Sequence, residues 1–167
     1  MTHRINTICF VLAAVLASQA WAAGDRPVKG RYHSIEVERF DAAPGVRLPA
    51  NYEIELAGDL ARQLEKKGFQ QVLKAGENRD ESTPALRLTG TVIKFQKGSR
   101  ALRYFSGFAG KTKIVAHIKV EDRQSGEVLY ETDADGKVVI GVFGGDSMGA
   151  TNGLAKEVAK KVRKYFF

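Results

Sequence analysis

Leu56, Leu60 and Leu64, with Ala57 and Ala61 beside them, recur at spacings of three and four, the one-sided stripe of an α-helix. A second stripe near the end of the chain runs through Leu154, Ala155, Val158, Ala159 and Val162. Between the two, apolar residues mostly alternate with polar ones, the period of a half-buried strand. A chain that offers two one-sided helices and several one-sided strands must bury each stripe against another element, and two layers are the simplest solution. The expected fold class is α+β: a two-layer domain with an antiparallel sheet and the two amphipathic helices on one face.

A first strand is read over residues 32–40, where Ile35 and Val37 alternate with Glu36 and Glu38. Pro44, Gly45 and Pro49 then break regular structure, Asn51 is placed to cap a helix reaching about Lys67, and Gly68 suits its left-handed stop. A short strand is expected over residues 69–74, followed by a polar surface connection from Ala75 to Pro84. Leu86, Leu88, Gly90 and Val92 share one phase while Ile93 and Phe95 take the other, which predicts a bulge or bend near Gly90. Ile114, Ala116, Ile118 and Val120 mark another strand. Turns at Gln124-Ser125-Gly126 and at Asp135-Gly136 would then fold residues 128–132 and 138–142 into a meander.

The N-terminus narrows the compartment. Arg4 precedes an apolar run from Ile8 to Ala17 that ends in Ala20-Trp21-Ala22-Ala23, the layout of a secretory signal peptide with an A-x-A cleavage site. That run is well short of the roughly 20 residues a membrane-spanning helix needs. Residues 1–23 are therefore expected to be a signal peptide and residues 24–167 a single domain without a transmembrane segment, periplasmic or secreted in a bacterium. Cys9, the only cysteine, lies inside the apolar run, so the mature chain would have no thiol for a disulfide, a nucleophile or a metal. The 26 Lys and Arg exceed the 19 Asp and Glu, a balance that favours acidic partners.

The candidate contact surface is the stretch from Lys97 to Lys113, between two strand-like runs. From Lys94 to Lys119 the chain has seven basic residues and no acidic one, with Tyr104, Phe105 and Phe108 interleaved. Lys97, Arg100, Arg103, Tyr104, Phe105, Phe108, Lys111 and Lys113 are the binding candidates. Gly98, Gly107 and Gly110 would let the backbone turn tightly, because glycine takes positive φ without strain. Arginine forms paired hydrogen bonds to phosphate and aromatic rings settle at lipid interfaces, so the partners this chemistry fits are anionic lipid, lipopolysaccharide or an acidic envelope protein. Nucleic acid is not expected for an exported protein. The plain alternative is a solvated basic connection whose aromatics cover the open sheet face.

Recognisable catalytic and cofactor motifs are incomplete. Gly110-Lys111-Thr112 echoes the end of a phosphate-binding loop, but the glycine needed five residues earlier is Phe105. His33 and His117 each stand alone in strand-like runs, and Asp133, Asp135 and Gly136 lack the closing glutamate of a calcium loop, so a hairpin turn explains them better. Ser106 before Gly107 is not a nucleophile elbow. No catalytic residue, metal or cofactor is assigned; the rival from another class is a hydrolase of envelope components.

Gly98-Ser99-Arg100, followed by Arg103, Gly107 and Gly110, then Val120-Glu121-Asp122 and Ser125-Gly126-Glu127-Val128-Leu129, resembles the bacterial DUF4410 family of exported proteins over roughly residues 32–162. The resemblance implies an envelope protein and names no function; some members carry a lipid-attachment cysteine, which this chain lacks. The signal-peptide reading has a direct check: mass spectrometry of the protein recovered from the envelope should show an N-terminus at Ala23 or Gly24, and an intact Met1 in soluble protein would contradict it.

Overall fold

The first strand lies inside the sheet. In the computed structural model, which describes residues 29–77, 82–96, 112–137 and 148–167, β1 (Ser34–Ala42) pairs in parallel with β2 (Gln71–Lys74) on one side and with β3 (Leu86–Gln96) on the other. β4 (Lys113–Asp122) and β5 (Val128–Lys137) then add antiparallel, giving the order β2-β1-β3-β4-β5. The sheet is therefore mixed, which corrects the purely antiparallel expectation. The cause is α1 (Tyr52–Lys66). A helix between two neighbouring strands carries the chain back along the sheet, so β2 starts where β1 started and runs the same way.

Pro44, Gly45 and Pro49 do separate β1 from α1, but Asn51 starts the helix differently from the expectation. Its backbone is left-handed, with φ 63°, and its side chain makes no cap hydrogen bond. Asparagine is among the few residues that tolerate this conformation, so it contributes a backbone turn instead of a cap. At the other end Gly68, with φ 104°, supplies the expected left-handed stop, and its amide bonds to the carbonyl of Glu65.

Leu56, Leu60 and Leu64 of α1 are fully buried, as are Leu154, Ala155, Val158 and Val162 of α2 (Met148–Phe166). The two helices pack on each other; α1 also lies on β1 and β2, and α2 on β5 and β4. Ile35, Leu86, Leu88, Ile114, Ile118 and Val120 meet them in one continuous core. The opposite sheet face holds the remaining phase of the strands, which in β4 is Lys113, Val115, His117, Lys119 and Glu121 and is mostly polar and charged.

Two glycines of the core side act by absence. At Gly90 a Cβ would stand 2.3 Å from the Phe40 ring, which takes the place of a side chain. The expected irregularity falls at Ile93, where the β3–β4 register slips between Val92 and Lys94; Val92 stays buried and Ile93 is 43% exposed. Gly136 lies within β5, which runs straight through Asp135-Gly136, so the turn expected there does not exist and the segment 138–142 lies outside the described residues. A Cβ at Gly136 would lie 2.7 Å from the Leu154 backbone nitrogen and 2.8 Å from its Cα. The glycine is there for α2 to sit on.

Gly136→Val should therefore destabilise the domain by about 3 kcal/mol or more, since the contact is helix backbone that cannot rotate away. Gly126→Ala, at φ 71° with nothing within 4 Å of its Cβ, should cost only about 1 kcal/mol of backbone strain. Denaturant unfolding of the mature chain compares the two; equal losses would refute the close-packing account.

Candidate binding surface

The uncovered sheet face is built from the polar phase of the strands. A hairpin turning at Ser125 sets His117 of β4 directly opposite Asp133 of β5. His117 Nδ1 is 2.7 Å from Asp133 Oδ1, and its Nε2 is 2.6 Å from Glu131 Oε1. Only the imidazolium can donate from both nitrogens at once, so the bonds to Asp133 and then Glu131 raise the pKa of His117 above its ordinary 6.5. This histidine is clamped, which corrects its reading as solitary. The alternation Glu131-Thr132-Asp133, which begins six residues past Ser125, was the signal that could have found the clamp. Both ring nitrogens are engaged, and among the described residues no group of three His, Cys, Asp or Glu side chains is arranged to hold a metal ion.

Other charges on this face are matched as well, Lys119 within its own strand and Arg87 across to β1. Lys119 Nζ is 2.7 Å from Glu121, and Arg87 Nε lies 3.7 Å from Glu36 and 3.6 Å from Glu38. Arg123 Nε approaches the same Glu36 carboxylate to 3.2 Å, and Glu36 is only 7% exposed. Lys113, one of the sequence candidates, opens β4 and stands 3.5 Å from Asp135. The run from Lys94 to Lys119 contains no acid in sequence, yet β5 brings Glu131, Asp133 and Asp135 against it in space.

The other candidates, Lys97, Gly98, Arg100, Arg103, Tyr104, Phe105, Gly107, Phe108, Gly110 and Lys111, lie outside the described residues. The strand ends that carry them are described: Gln96 is paired with Lys113, and Lys113 with Lys137. The described ends of β3, β4 and β5 at Gln96, Lys113 and Lys137 thus lie at one end of the sheet. At the opposite end Tyr32 Oη donates to Asp122 Oδ2 at 2.5 Å, while Asp122 Oδ1 accepts the amides of Gln124 and Ser125, each at 2.9 Å. Burial tends to raise the Asp122 pKa, but these donors overcome it and hold the carboxyl below its usual range. Tyr32, desolvated and facing that carboxylate, is pushed up to about 12. The β4–β5 turn is tied to the chain's first described segment through this one carboxylate.

On the helix side a second concavity opens where the first turns of α1 diverge from β1 and the end of β2. It encloses ≈ 640 Å³ and is lined by Val37, Leu48, Pro49, Ile54, Ala57 and Gly58, with Arg39, Glu53 and Lys74 around them. Arg39 is bridged to Glu53. Sequence reasoning did not find this cleft, because it depends on the angle between a helix and the edge of a parallel pair.

The clamp makes a pH prediction. Since the folded-state pKa of His117 is raised, its contribution to stability is fully present below about 6.5 and is lost as pH rises through the folded value. The His117 ring protons, followed by NMR, should titrate with a midpoint above 6.5; Asp133→Asn should lower that midpoint more than Glu131→Gln. A midpoint at or below the ordinary value would mean that the clamp does not form in solution.

No curated protein matches the sequence. Among solved structures, a PelC dodecamer from Paraburkholderia phytofirmans superposes with a TM-score of 0.57 at 16% identity, over 83% of this chain and 92% of that one. A hypothetical protein from Chlamydia trachomatis gives 0.51 at 12% identity, over 79% and 96%. At such identities the likeness is one of fold. The sequence model of DUF4410, a domain of unknown function, matches residues 50–145, from the start of α1 through the whole β3–β5 meander, and the chain belongs to that family.

Proposed function

We propose that the protein is an exported component of a bacterial envelope that works by binding or assembly, with the segment from Lys97 to Lys113 as its contact for an anionic partner. One observation carries the reading. Gln96 and Lys113 are register partners in β3 and β4, so the 16 residues 97–112 connect strand ends that two residues could join. A connection that long between adjacent strands is uncommon and is usually either functional or a linker. Its two ends are held on a rigid ladder, which lowers the ordering cost when a partner engages it. Arg87, Lys113 and Lys119 each stand beside a carboxylate on the strands, so the anionic contact is assigned to Lys97, Arg100, Arg103 and Lys111.

Assembly belongs to the same reading. The Paraburkholderia phytofirmans structures of this fold are PelC dodecamers, and here β5 stands at a sheet edge among the described strands, a position from which pairing with another chain can extend. Sedimentation of the mature chain reports its oligomeric state directly.

Binding to anionic liposomes or lipopolysaccharide should weaken as salt rises, because exposed charges are screened beyond about 8 Å at physiological ionic strength. Arg100→Lys combined with Arg103→Lys should weaken it further at unchanged net charge, since lysine cannot make the paired bonds to phosphate. No binding at low salt would reject the anionic-surface reading. Turnover of ester, phosphate or peptidoglycan substrates by the purified protein would favour the hydrolase instead.

A further inference from the structure

We infer that the cleft beneath the first turns of α1 binds an amphipathic anion: a single apolar chain ending in a carboxylate or a phosphate. Its ≈ 640 Å³ falls within the range of about 300–1,000 Å³ typical of small-molecule sites. Val37, Leu48, Pro49 and Ala57 give it apolar walls, and Ile54 stands at the mouth with 75% of its surface in water. A large aliphatic side chain exposed beside an apolar hollow leaves apolar surface in water that an acyl chain would cover.

The charge at the rim selects the head group. Glu53 is bridged by Arg39, whereas Lys74 has no ion pair among the described residues; its described polar bond is from the backbone amide to Glu77. The N-terminal end of α1 opens onto the same space, and Asn51 supplies no side-chain cap for its first amides. Lys74 attracts an anion and disfavours a cation, and the positive end of the helix adds to it only in part, because Glu53 and Glu55 stand in its first turn. Lysine reads charge without the fork geometry that tells one oxyanion from another, so the site takes carboxylate and phosphate heads alike. The inference rests on the cleft alone and stands apart from the role of residues 97–113.

Two positions allow the cleft to be altered without threatening the fold. A Cβ at Gly58 meets nothing within 4 Å, so Gly58→Leu fills the hollow and also favours the helix. Ile54→Asp changes an exposed side chain at the mouth. Displacement of cis-parinaric acid from the purified mature protein would be measured with dodecanoate, dodecyl phosphate and dodecanol. Saturable binding is expected, with both anions about fivefold or more tighter than the alcohol. Lys74→Glu should erase that preference and leave dodecanol unchanged. Gly58→Leu should weaken all three by about tenfold or more, with an unfolding temperature no lower than the parent's. Ile54→Asp should weaken the two anions most. A preference for only one of the anions would overturn the shared head-group assignment, and equal binding of alcohol and acid, with Lys74→Glu silent, would overturn the role of charge. Binding that survives Gly58→Leu and Ile54→Asp unchanged would place the probe elsewhere, and no saturable binding would refute the site. If Ile54→Asp instead dissociates an oligomer seen by sedimentation while no probe binds, the cleft belongs to a second copy of the chain and the inference fails.

Discussion

The contact between Gly136 and the backbone of Leu154 sets the spacing of the two layers. Because β5 offers no side chain at that point, α2 comes down onto the strand itself, with the Leu154 nitrogen 2.7 Å from where a Cβ would be. The helix is thereby placed low enough for Leu154, Val158 and Val162 to reach the sheet, and α1 packs along its flank. Asp59 and Thr151, hydrogen-bonded at 2.5 Å and both buried, fix the two helices relative to each other. A side chain at position 136 would lift one end of α2 and loosen each of these contacts in turn, which is why a single absent methyl group matters beyond its own volume.

Local periodicity revealed the helices, their stops and most strands, because burial on one face leaves its mark residue by residue. It did not reveal which strands would be neighbours. The parallel pairing of β1 with β2 is settled by the path of α1 and by burial on the helix side, and neither leaves a signature in the alternation of Ile35 and Val37. Asp135-Gly136 was misread for a related reason: glycine after aspartate signals a turn when only local conformation is considered, whereas here the glycine answers a helix that arrives eleven or more residues later. The candidate site divides in the same way. Its glycine, arginine and aromatic composition was visible in the sequence, and so was the hairpin that sets His117 against Asp133; the apolar cleft is a product of interaxial geometry and was not.

Charge shows how misleading a one-dimensional count can be. Seven cations without an acid between Lys94 and Lys119 suggest a basic surface, yet among the described residues of that run β5 sets Asp135 beside Lys113, and Glu131 and Asp133 beside His117. Exposed pairs of this kind add little stability. Their effect is to neutralise one patch of the sheet and to leave the chain's positive excess on residues that strands do not bring beside an acid.

The amide of Gly30 donates to the carbonyl of Phe166 at 3.0 Å, and the Tyr32 ring meets the Phe166 ring edge-on at 6.0 Å. Residues almost a full domain apart in sequence therefore close the same corner, while β1, the central parallel strand, waits for β2 and β3 on either side. A chain delivered from its N-terminus cannot close this corner until α2 has emerged, and contacts of such long sequence separation make for slow folding. Closing this corner is thus left to the far end of the domain, after every strand of the sheet has been supplied.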